Sequence, residues 1–92
     1  MKEEKSIVLL DFYADWCSPC ITMHSILKAV EEKFNQEVQL LKIDTDENKK
    51  LAENFRIRSI PTLIIFKNGK EIWRKSGLLS KRELTEVIQQ FL

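Results

Sequence analysis

The sequence has few side chains that bind metals or form cross-links: two cysteines, Cys17 and Cys20, and one histidine, His24, in 92 residues. Small secreted domains held together by disulfides usually have several pairs, so this class is excluded. A structural zinc site needs four ligands, and a carboxylate would have to join these three residues to complete one. No metal or other cofactor is therefore expected, although a zinc site completed by a carboxylate stays an alternative.

Long apolar runs and an excess of one charge are also missing. The first apolar run, residues 7–10, ends at Asp11, which makes it too short for a secretory signal or a membrane span. Lysine and arginine together number 15 against 14 acidic residues, for a formal net charge of +1. This balance predicts neither a nucleic-acid nor a membrane partner. We expect a cytoplasmic protein.

The first half of the sequence alternates between strand and helix patterns. Residues 7–13 form a nearly continuous apolar run, typical of a strand covered on both faces. Pro19 then suits the first turn of a helix. The buried face of this helix is predicted from apolar residues at steps of three and four: Met23, Ile26, Leu27, Val30 and Phe34. Residues 38–44 predict a second strand, parallel to the first because a helix connects the two.

The second half predicts a short helix around residues 51–55, then a hairpin and a closing helix. Residues 62–67 and a further strand flank an Asn-Gly dipeptide at positions 68–69, which is the strongest short signal for a tight turn. Trp73 on the further strand is expected to pack against the sheet. A capping-box pattern at residues 80–83 begins the last helix. The expected class is α/β, with the order strand, helix, strand, helix, strand, strand, helix.

Cys17 is predicted to lie just before the first helix and Cys20 inside its first turn. Two cysteines at this spacing are close enough to form a disulfide. The helix N-terminus favours a thiolate over a thiol and so lowers the pKa of Cys17 in particular. A thiolate is the species that attacks a disulfide, and the more buried Cys20 would carry out the second step. The pair is therefore interpreted as a redox site, with a structural or metal-binding pair as the alternatives.

The segment DFYADWCSPC, residues 11–20, closely resembles the active-site segment of the thioredoxin family, which usually reads WCGPC. The match continues in order with KID at residues 42–44, IRSIPT at 57–62, FKNG at 66–69 and Gly77. The resemblance implies a thioredoxin-like α/β fold, a mixed four-stranded central sheet flanked by helices, in a single domain of residues 1–92. The strand and helix that open a typical thioredoxin have no counterpart in this sequence.

The resemblance also implies roles for individual residues. Cys17 matches the family's exposed nucleophile and Cys20 its resolving cysteine. Pro61 matches a proline that follows a cis peptide bond and presents the backbone of Ile60 to a substrate peptide. An ordinary trans proline at the start of an edge strand is the alternative. The implied docking surface comprises Trp16, Pro19, Ile60, Pro61 and Gly77.

Asp11 interrupts an apolar run, and a buried carboxylate is costly without a partner or a task. It matches a buried aspartate that helps to move the proton of the resolving cysteine, and burial should raise its pKa. Lys42, on the neighbouring strand, matches a lysine that lies near this aspartate. The alternatives are a strand-end carboxylate and a surface lysine.

The sequence departs from the family pattern at three positions around the cysteines. Ser18 replaces a glycine, which can shift the reduction potential. Ile21 stands where a basic residue is common, so one charge that would favour a thiolate is lost. Ser25 replaces a proline that kinks the helix, which predicts a straighter helix. His24 falls on roughly the same helix face as the cysteines, either as a ligand or pKa-tuning residue or, as we favour, as a partly exposed residue on the helix flank.

The function implied by the resemblance is the reduction of protein disulfides by dithiol–disulfide exchange, as part of cell redox homeostasis. The expected partners are disulfide-containing proteins and a flavoprotein similar to thioredoxin reductase that recycles the oxidised pair; the protein itself is expected to be a monomer. A disulfide oxidase or isomerase and a non-catalytic binding module with the same fold are the alternatives. Proline before Cys20, where isomerases usually have histidine, argues against the first of these.

Overall fold

The computed structural model describes residues 5–92. In chain order the elements are β1 (Ile7–Tyr13), α1 (Ser18–Lys33), β2 (Val38–Asp44), α2 (Lys49–Asn54), β3 (Thr62–Lys67), β4 (Lys70–Ser76) and α3 (Lys81–Phe91). Their order and types agree with the sequence-based prediction, and the predicted capping box between Ser80 and Glu83 is present at the start of α3. Within the described range, no helix combines the length and apolar character that crossing a membrane requires.

The four strands form one sheet in the order β2-β1-β3-β4. β1 pairs in parallel with β2, while β1 with β3 and β3 with β4 are antiparallel. Asn68 and Gly69 between the last two strands both have positive φ angles, 55° and 79°, which a tight hairpin turn requires. The predicted mixed four-stranded sheet is therefore confirmed, and the central β1 has a neighbour on both sides.

One face of the sheet is covered by α1 and α3. The core between them consists of aliphatic side chains together with Met23 and Phe34: Ile7, Leu9, Met23, Leu27, Val30, Phe34, Val38, Leu63, Ile65, Leu79, Leu84 and Ile88. Trp73 packs against this core, as predicted. Burial of each such large side chain contributes roughly 1.5–3 kcal/mol, so this core is the main source of stability. It holds α1, and with it the cysteine pair, against the sheet.

The opposite face is covered near its centre by α2 and the chain that follows it. Leu10, Phe12 and Ile64 form a smaller buried cluster there. The ring of Phe12 lies 5.4 Å from that of Phe55, measured between centroids. Because side chains alternate along a strand, the odd-numbered residues of β1 face α1. Asp11 therefore lies on the α1 side of the sheet.

Candidate functional site

The cysteine pair lies where β1 leads into α1. Cys17 is the N-cap residue of α1, and its backbone N–H donates to the carbonyl of Ala14 at 3.1 Å. Pro19 stands in the first turn, where a helical N–H would have no partner in any case. A disulfide joins Cys17 and Cys20, whose Cα atoms are 5.2 Å apart. The predicted position of the pair at a helix N-terminus, and its ability to form a disulfide, are confirmed.

A backbone N–H group is directed at the sulfur of Cys17. Its Sγ accepts a hydrogen bond from the backbone N–H of Cys20 at 3.2 Å. The positive end of the helix dipole lies here as well, and the first turn of α1 contains no acidic residue. In the reduced protein both features would stabilise a thiolate at Cys17. Ile21 follows the pair with an exposed and uncharged side chain, so α1 adds no cation at that position.

Both cysteines are buried in this disulfide-bonded state, Cys17 with 4% and Cys20 with 0% of its surface exposed. The prediction of an exposed Cys17 is therefore wrong for this state. The reason is packing, because the pair forms a small cluster with Ala14, and Tyr13 and Ile60 pack against that cluster. Cys17 remains the more accessible of the two, which agrees with the expected division between attacking and resolving cysteine.

The segment before β3 forms a second wall of the site. The Ile60–Pro61 peptide bond is cis, as the resemblance implies, and the side chain of Ile60 packs against the cysteine cluster. The hydroxyl of Thr62 donates to the carbonyl of Ser59 at 2.6 Å. The backbone N–H of Gly77 donates to the carbonyl of Pro61 at 2.8 Å. Hydrogen bonds on both sides of the proline thus hold this segment against the cysteines.

The predicted docking residues differ in exposure. Trp16 is the most exposed, at 71%, and Pro19 is exposed as well. Ile60 and Gly77 are half-buried, and Pro61 is buried. A recess of about 370 Å³ has both Trp16 and Ile60 in its lining. The structure therefore brings Trp16 and Ile60 to one surface, and the hydrogen bond to Pro61 places Gly77 next to the same segment.

Asp11 is fully buried, with 0% of its surface exposed. Neither carboxylate oxygen has a hydrogen-bond partner among the described residues. Burial raises the pKa of Asp11 to about 6, and the positive charge of Lys42 lowers it in part. A carboxyl group with a pKa in this range exchanges protons readily near neutral pH. The strand-end alternative is wrong, because Asp11 lies in the middle of β1 and is covered.

Lys42 lies beside Asp11 but remains at the surface. The two residues occupy paired positions of the parallel strands β1 and β2. The Lys42 side chain is exposed, and its Nζ lies 6.0 Å from the centroid of the Tyr13 ring. The predicted proximity to Asp11 is therefore confirmed, and so is the surface position that the alternative described.

His24 lies on the flank of α1 and is half-buried, as favoured from the sequence. Its ring contacts that of Tyr13 in a T-shaped arrangement, with centroids 5.1 Å apart. Its Nε2 is buried and has no hydrogen-bond partner among the described residues. Burial, and then the charge of Lys42, lower the pKa of His24 below its usual value. Within residues 5–92 no group of three His, Cys, Asp or Glu side chains is arranged to hold a metal ion.

Three residues of the site were not singled out from the sequence. Tyr13 contacts both the cysteine cluster and His24. Asp46 accepts a hydrogen bond from Nε1 of Trp16 at 2.9 Å. Thr62 is buried, and its hydroxyl holds the loop before β3. Only Tyr13 had a usable signal, since an aromatic residue that ends a buried strand just before a CxxC motif must lie near it.

Ser18 and Ser25 are two of the residues that depart from the family pattern, and both lie in α1. Ser18 begins α1 and is exposed. Ser25 donates its hydroxyl to the carbonyl of Thr22 at 3.2 Å, a bond within the helix. α1 continues through Ser25 without interruption over its 16 residues, as expected in the absence of proline at this position.

Comparison with known proteins places these features in a family. A family model described as thioredoxin matches residues 1–90. The chain is 45% identical over 91 residues to "Thioredoxin Y, chloroplastic" of rice (Oryza sativa subsp. japonica), an alignment that covers 99% of this chain and 54% of the rice protein. It is 42% identical over 84 residues to the thioredoxin of Chlamydia trachomatis, with 91% of this chain and 81% of that protein covered. The chain thus spans about half the length of the rice relative.

The likeness extends to three-dimensional structure. A solved thioredoxin-2, described as a component of the malaria parasite protein secretion machinery, superposes with a TM-score of 0.91 at 29% identity. The match covers 97% of this chain and 86% of the other. The similarity therefore includes the sheet and its flanking helices as well as the motif around the cysteines.

Proposed function

The chain belongs to the thioredoxin family, and from this premise we propose that it is a thiol–disulfide oxidoreductase that reduces protein disulfides. The observation that carries the proposal is the disulfide between Cys17 and Cys20 at the N-terminus of α1, with the Cys17 sulfur accepting the N–H of Cys20. This arrangement favours a thiolate at one cysteine and keeps the second within reach of it.

The proposed reaction has two exchange steps. The Cys17 thiolate attacks one sulfur of a substrate disulfide; the substrate S–S bond breaks, one substrate thiolate leaves, and a mixed disulfide forms. Cys20 loses its proton and attacks Sγ of Cys17, so that the mixed S–S bond breaks and the second substrate thiolate leaves. The substrate gains two electrons and the cysteine pair loses two. The protein then has the Cys17–Cys20 disulfide present here.

Asp11 is proposed to receive the proton of Cys20 in the second step. Its pKa of about 6 supports this role, because an ordinary exposed aspartate is too acidic to accept a proton near neutral pH. Lys42 is proposed to keep the pKa of Asp11 from rising further, since its positive charge favours the carboxylate.

The docking surface is proposed to be the rim formed by Trp16, Pro19, Ile60, Pro61 and Gly77. The exposed Trp16 offers apolar area, and the segment around Ile60 is held in place by the bonds of Thr62 and Gly77. A substrate strand can pair with an exposed backbone segment through main-chain hydrogen bonds, largely independently of its own sequence. This supports disulfide-containing proteins as the substrate class.

The recycling partner is proposed to be a flavoprotein similar to thioredoxin reductase, which would return two electrons to the cysteine pair. Cytoplasmic location and a monomeric state stay predictions from the sequence. The relatives do not narrow the compartment, because the name of one refers to the chloroplast and another is bacterial.

The reduction potential of the Cys17–Cys20 pair tests the direction of electron flow. The protein is equilibrated with dithiothreitol or glutathione buffers of known poise, and the oxidised fraction is measured by thiol alkylation. A potential near that of thioredoxins, about −270 mV, supports a reductant, whereas one near that of disulfide isomerases, about −180 mV, supports the oxidase or isomerase alternative.

Substitution of each cysteine tests catalysis itself, with insulin as a disulfide substrate and dithiothreitol as the electron source. Cys17→Ser should abolish acceleration of insulin reduction. Cys20→Ser should accumulate a mixed disulfide with the substrate, because the second step is lost. If Cys17→Ser retained full activity in every assay of the protein, the non-catalytic binding module would be the better description.

A further inference from the structure

The ring of Tyr13 lies between the cysteine cluster, the His24 ring and the Lys42 side chain. It packs against the cluster of Ala14, Cys17 and Cys20. It meets the His24 ring at an interplanar angle of 82°, with centroids 5.1 Å apart. Nζ of Lys42 lies 6.0 Å from its centroid, within the range of a cation–π contact. The Tyr13 backbone is fixed as well, because its carbonyl accepts the N–H of Thr45 at 2.8 Å.

His24 is held in place by packing. Its Nε2 has no hydrogen-bond partner in residues 5–92, so the contact with Tyr13 is the specific interaction that orients the imidazole. A T-shaped contact between aromatic rings contributes about 0.5–1.5 kcal/mol beyond the area it buries. The contact therefore restrains both rings, and the Tyr13 ring keeps its orientation relative to Lys42 on β2.

The charged groups around His24 lie on three elements. Lys28 and Glu31 belong to α1 and Lys42 to β2, and all three line a recess of about 390 Å³ together with His24. Asp15, in the turn after β1, favours the protonated imidazole, while Lys42 and burial disfavour it. The pKa of His24 is lowered on balance, so the ring is neutral at physiological pH and does not repel the Lys42 ammonium.

We propose that His24 is a positioning residue for the proton step: its ring fixes Tyr13, and Tyr13 holds the ammonium of Lys42 beside the carboxyl group of Asp11. Lys42 and Asp11 are paired in register on neighbouring strands, so a lysine side chain directed over Tyr13 stays close to Asp11. Without the aromatic contact the exposed lysine gains freedom and its charge moves away from Asp11. The inference rests on the proposed role of Asp11 as the proton acceptor for Cys20.

The consequence is a shift of the Asp11 pKa on loss of the His24 ring. Two influences set this pKa, burial raising it and Lys42 lowering it. Displacement of Lys42 leaves burial unopposed, so the pKa rises. Loss of a nearby opposite charge changes the pKa of a carboxyl group by roughly half a unit or more.

The test is an NMR titration of the Asp11 side-chain carboxyl carbon in the oxidised protein. His24→Phe keeps an aromatic ring against Tyr13 and cannot be protonated, so it serves as the reference; this matters because a change in the charge of the imidazole would itself act on the Asp11 titration. His24→Ala and His24→Gln both remove the ring, and the second keeps most of its volume. Each should raise the Asp11 pKa by at least about half a unit relative to His24→Phe. Equal pKa values in all three variants would overturn the proposal.

Further variants test whether the effect is specific to the His24 ring and whether it acts through Lys42. Ser25 lines the same recess, and Ser25→Ala, which keeps both the His24 and the Tyr13 ring, should leave the Asp11 pKa at the wild-type value. Lys42→Met should raise the pKa by itself, and His24→Ala should add nothing in that background. If His24→Ala caused the same rise with and without Lys42, the proposed connection would be refuted. The titration needs no substrate, so failure of this inference is distinguishable from absence of reductase activity.

Discussion

Asp11 and Lys42 occupy paired positions on the parallel strands β1 and β2, yet no hydrogen bond joins their side chains. Asp11 is completely covered, while Lys42 remains at the surface. Burial therefore outweighs the attraction between the two charges, and the pKa of Asp11 lies at about 6 instead of near its ordinary value of 3.8. A carboxylate held in this way destabilises the fold whenever it is ionised, and the cost depends on pH.

Asp11→Asn should stabilise the protein at pH 7. Between pH 3.8 and about 6 the folded protein binds more protons than the unfolded chain at Asp11, so the wild-type free energy of unfolding falls as pH rises through this range. The loss amounts to up to about 3 kcal/mol above pH 6, and the neutral amide avoids it. Urea denaturation of the oxidised protein between pH 3.5 and 8 measures the difference, which should vanish at the acid end.

The control for Asp11→Asn is Asp15→Asn, which removes the same charge from an exposed position. It should leave the pH profile of stability close to that of the wild type. If Asp11→Asn kept the wild-type fall in stability between pH 4 and 6, another group would be responsible. Asp11→Asn should also slow resolution of the mixed disulfide, because Cys20 loses its proposed proton acceptor.

Thr62→Val should destabilise the segment that faces the cysteines. The Thr62 hydroxyl donates to the carbonyl of Ser59 at 2.6 Å and accepts from the hydroxyl of Ser76 at 2.8 Å. Valine has the same shape but makes neither bond; each lost hydrogen bond contributes about 0.5–1.5 kcal/mol, so the two together contribute about 1–3 kcal/mol to the unfolding free energy. Ser76→Ala breaks only one of the two bonds and should cost less. Equal losses for both variants would contradict the importance of the bond to Ser59.

Much of the fold could be predicted because local signals and tertiary packing agree. The apolar run of β1 has a neighbouring strand on each side, and the Asn-Gly dipeptide forms the turn between β3 and β4. The capping box at Ser80 begins α3 as expected. These features depend on residues close together in the chain, where backbone geometry and the alternation of polar and apolar residues decide the outcome.

The remaining features depend on contacts between distant segments. Cys17 is buried because Ile60, far along the chain, packs against its cluster. The bond from Trp16 to Asp46 joins residues 30 positions apart, and no local pattern indicates it. His24 could be assigned to a helix flank by periodicity, but its contact with Tyr13 depends on how α1 lies across β1. Sequence patterns therefore located the site but not the interactions that shape it.

Gly77→Ala should lower both stability and activity. Gly77 has φ of +96°, and a Cβ added there would meet nothing within 4 Å, so the cost arises from backbone strain alone. Strain of this kind costs of order 1–3 kcal/mol. Gly69→Ala is a matched control, since its φ is +79° with equally open space, but it lies in the hairpin turn. Gly69→Ala should lose stability and keep insulin reduction, whereas Gly77→Ala, whose N–H holds Pro61, should lose both.

Trp16→Phe should weaken substrate docking and leave the fold almost unchanged. Trp16 is 71% exposed, so its ring adds little to stability, but the bond from its Nε1 to Asp46 fixes the orientation of the indole beside Ile60. Without that bond the side chain must be ordered when substrate binds, and KM for a protein disulfide should rise about 3- to 10-fold, the equivalent of one hydrogen bond.

Asp46→Ala removes the same bond from the other side and should raise KM by a similar factor, while Asp46→Asn keeps an oxygen acceptor and should stay near the wild type. Steady-state insulin reduction measures KM for all three variants, and thermal unfolding confirms that each is folded. An unchanged KM for Asp46→Ala would show that substrates do not depend on a fixed Trp16, and the docking surface would then have to be centred on Ile60 and Gly77 instead.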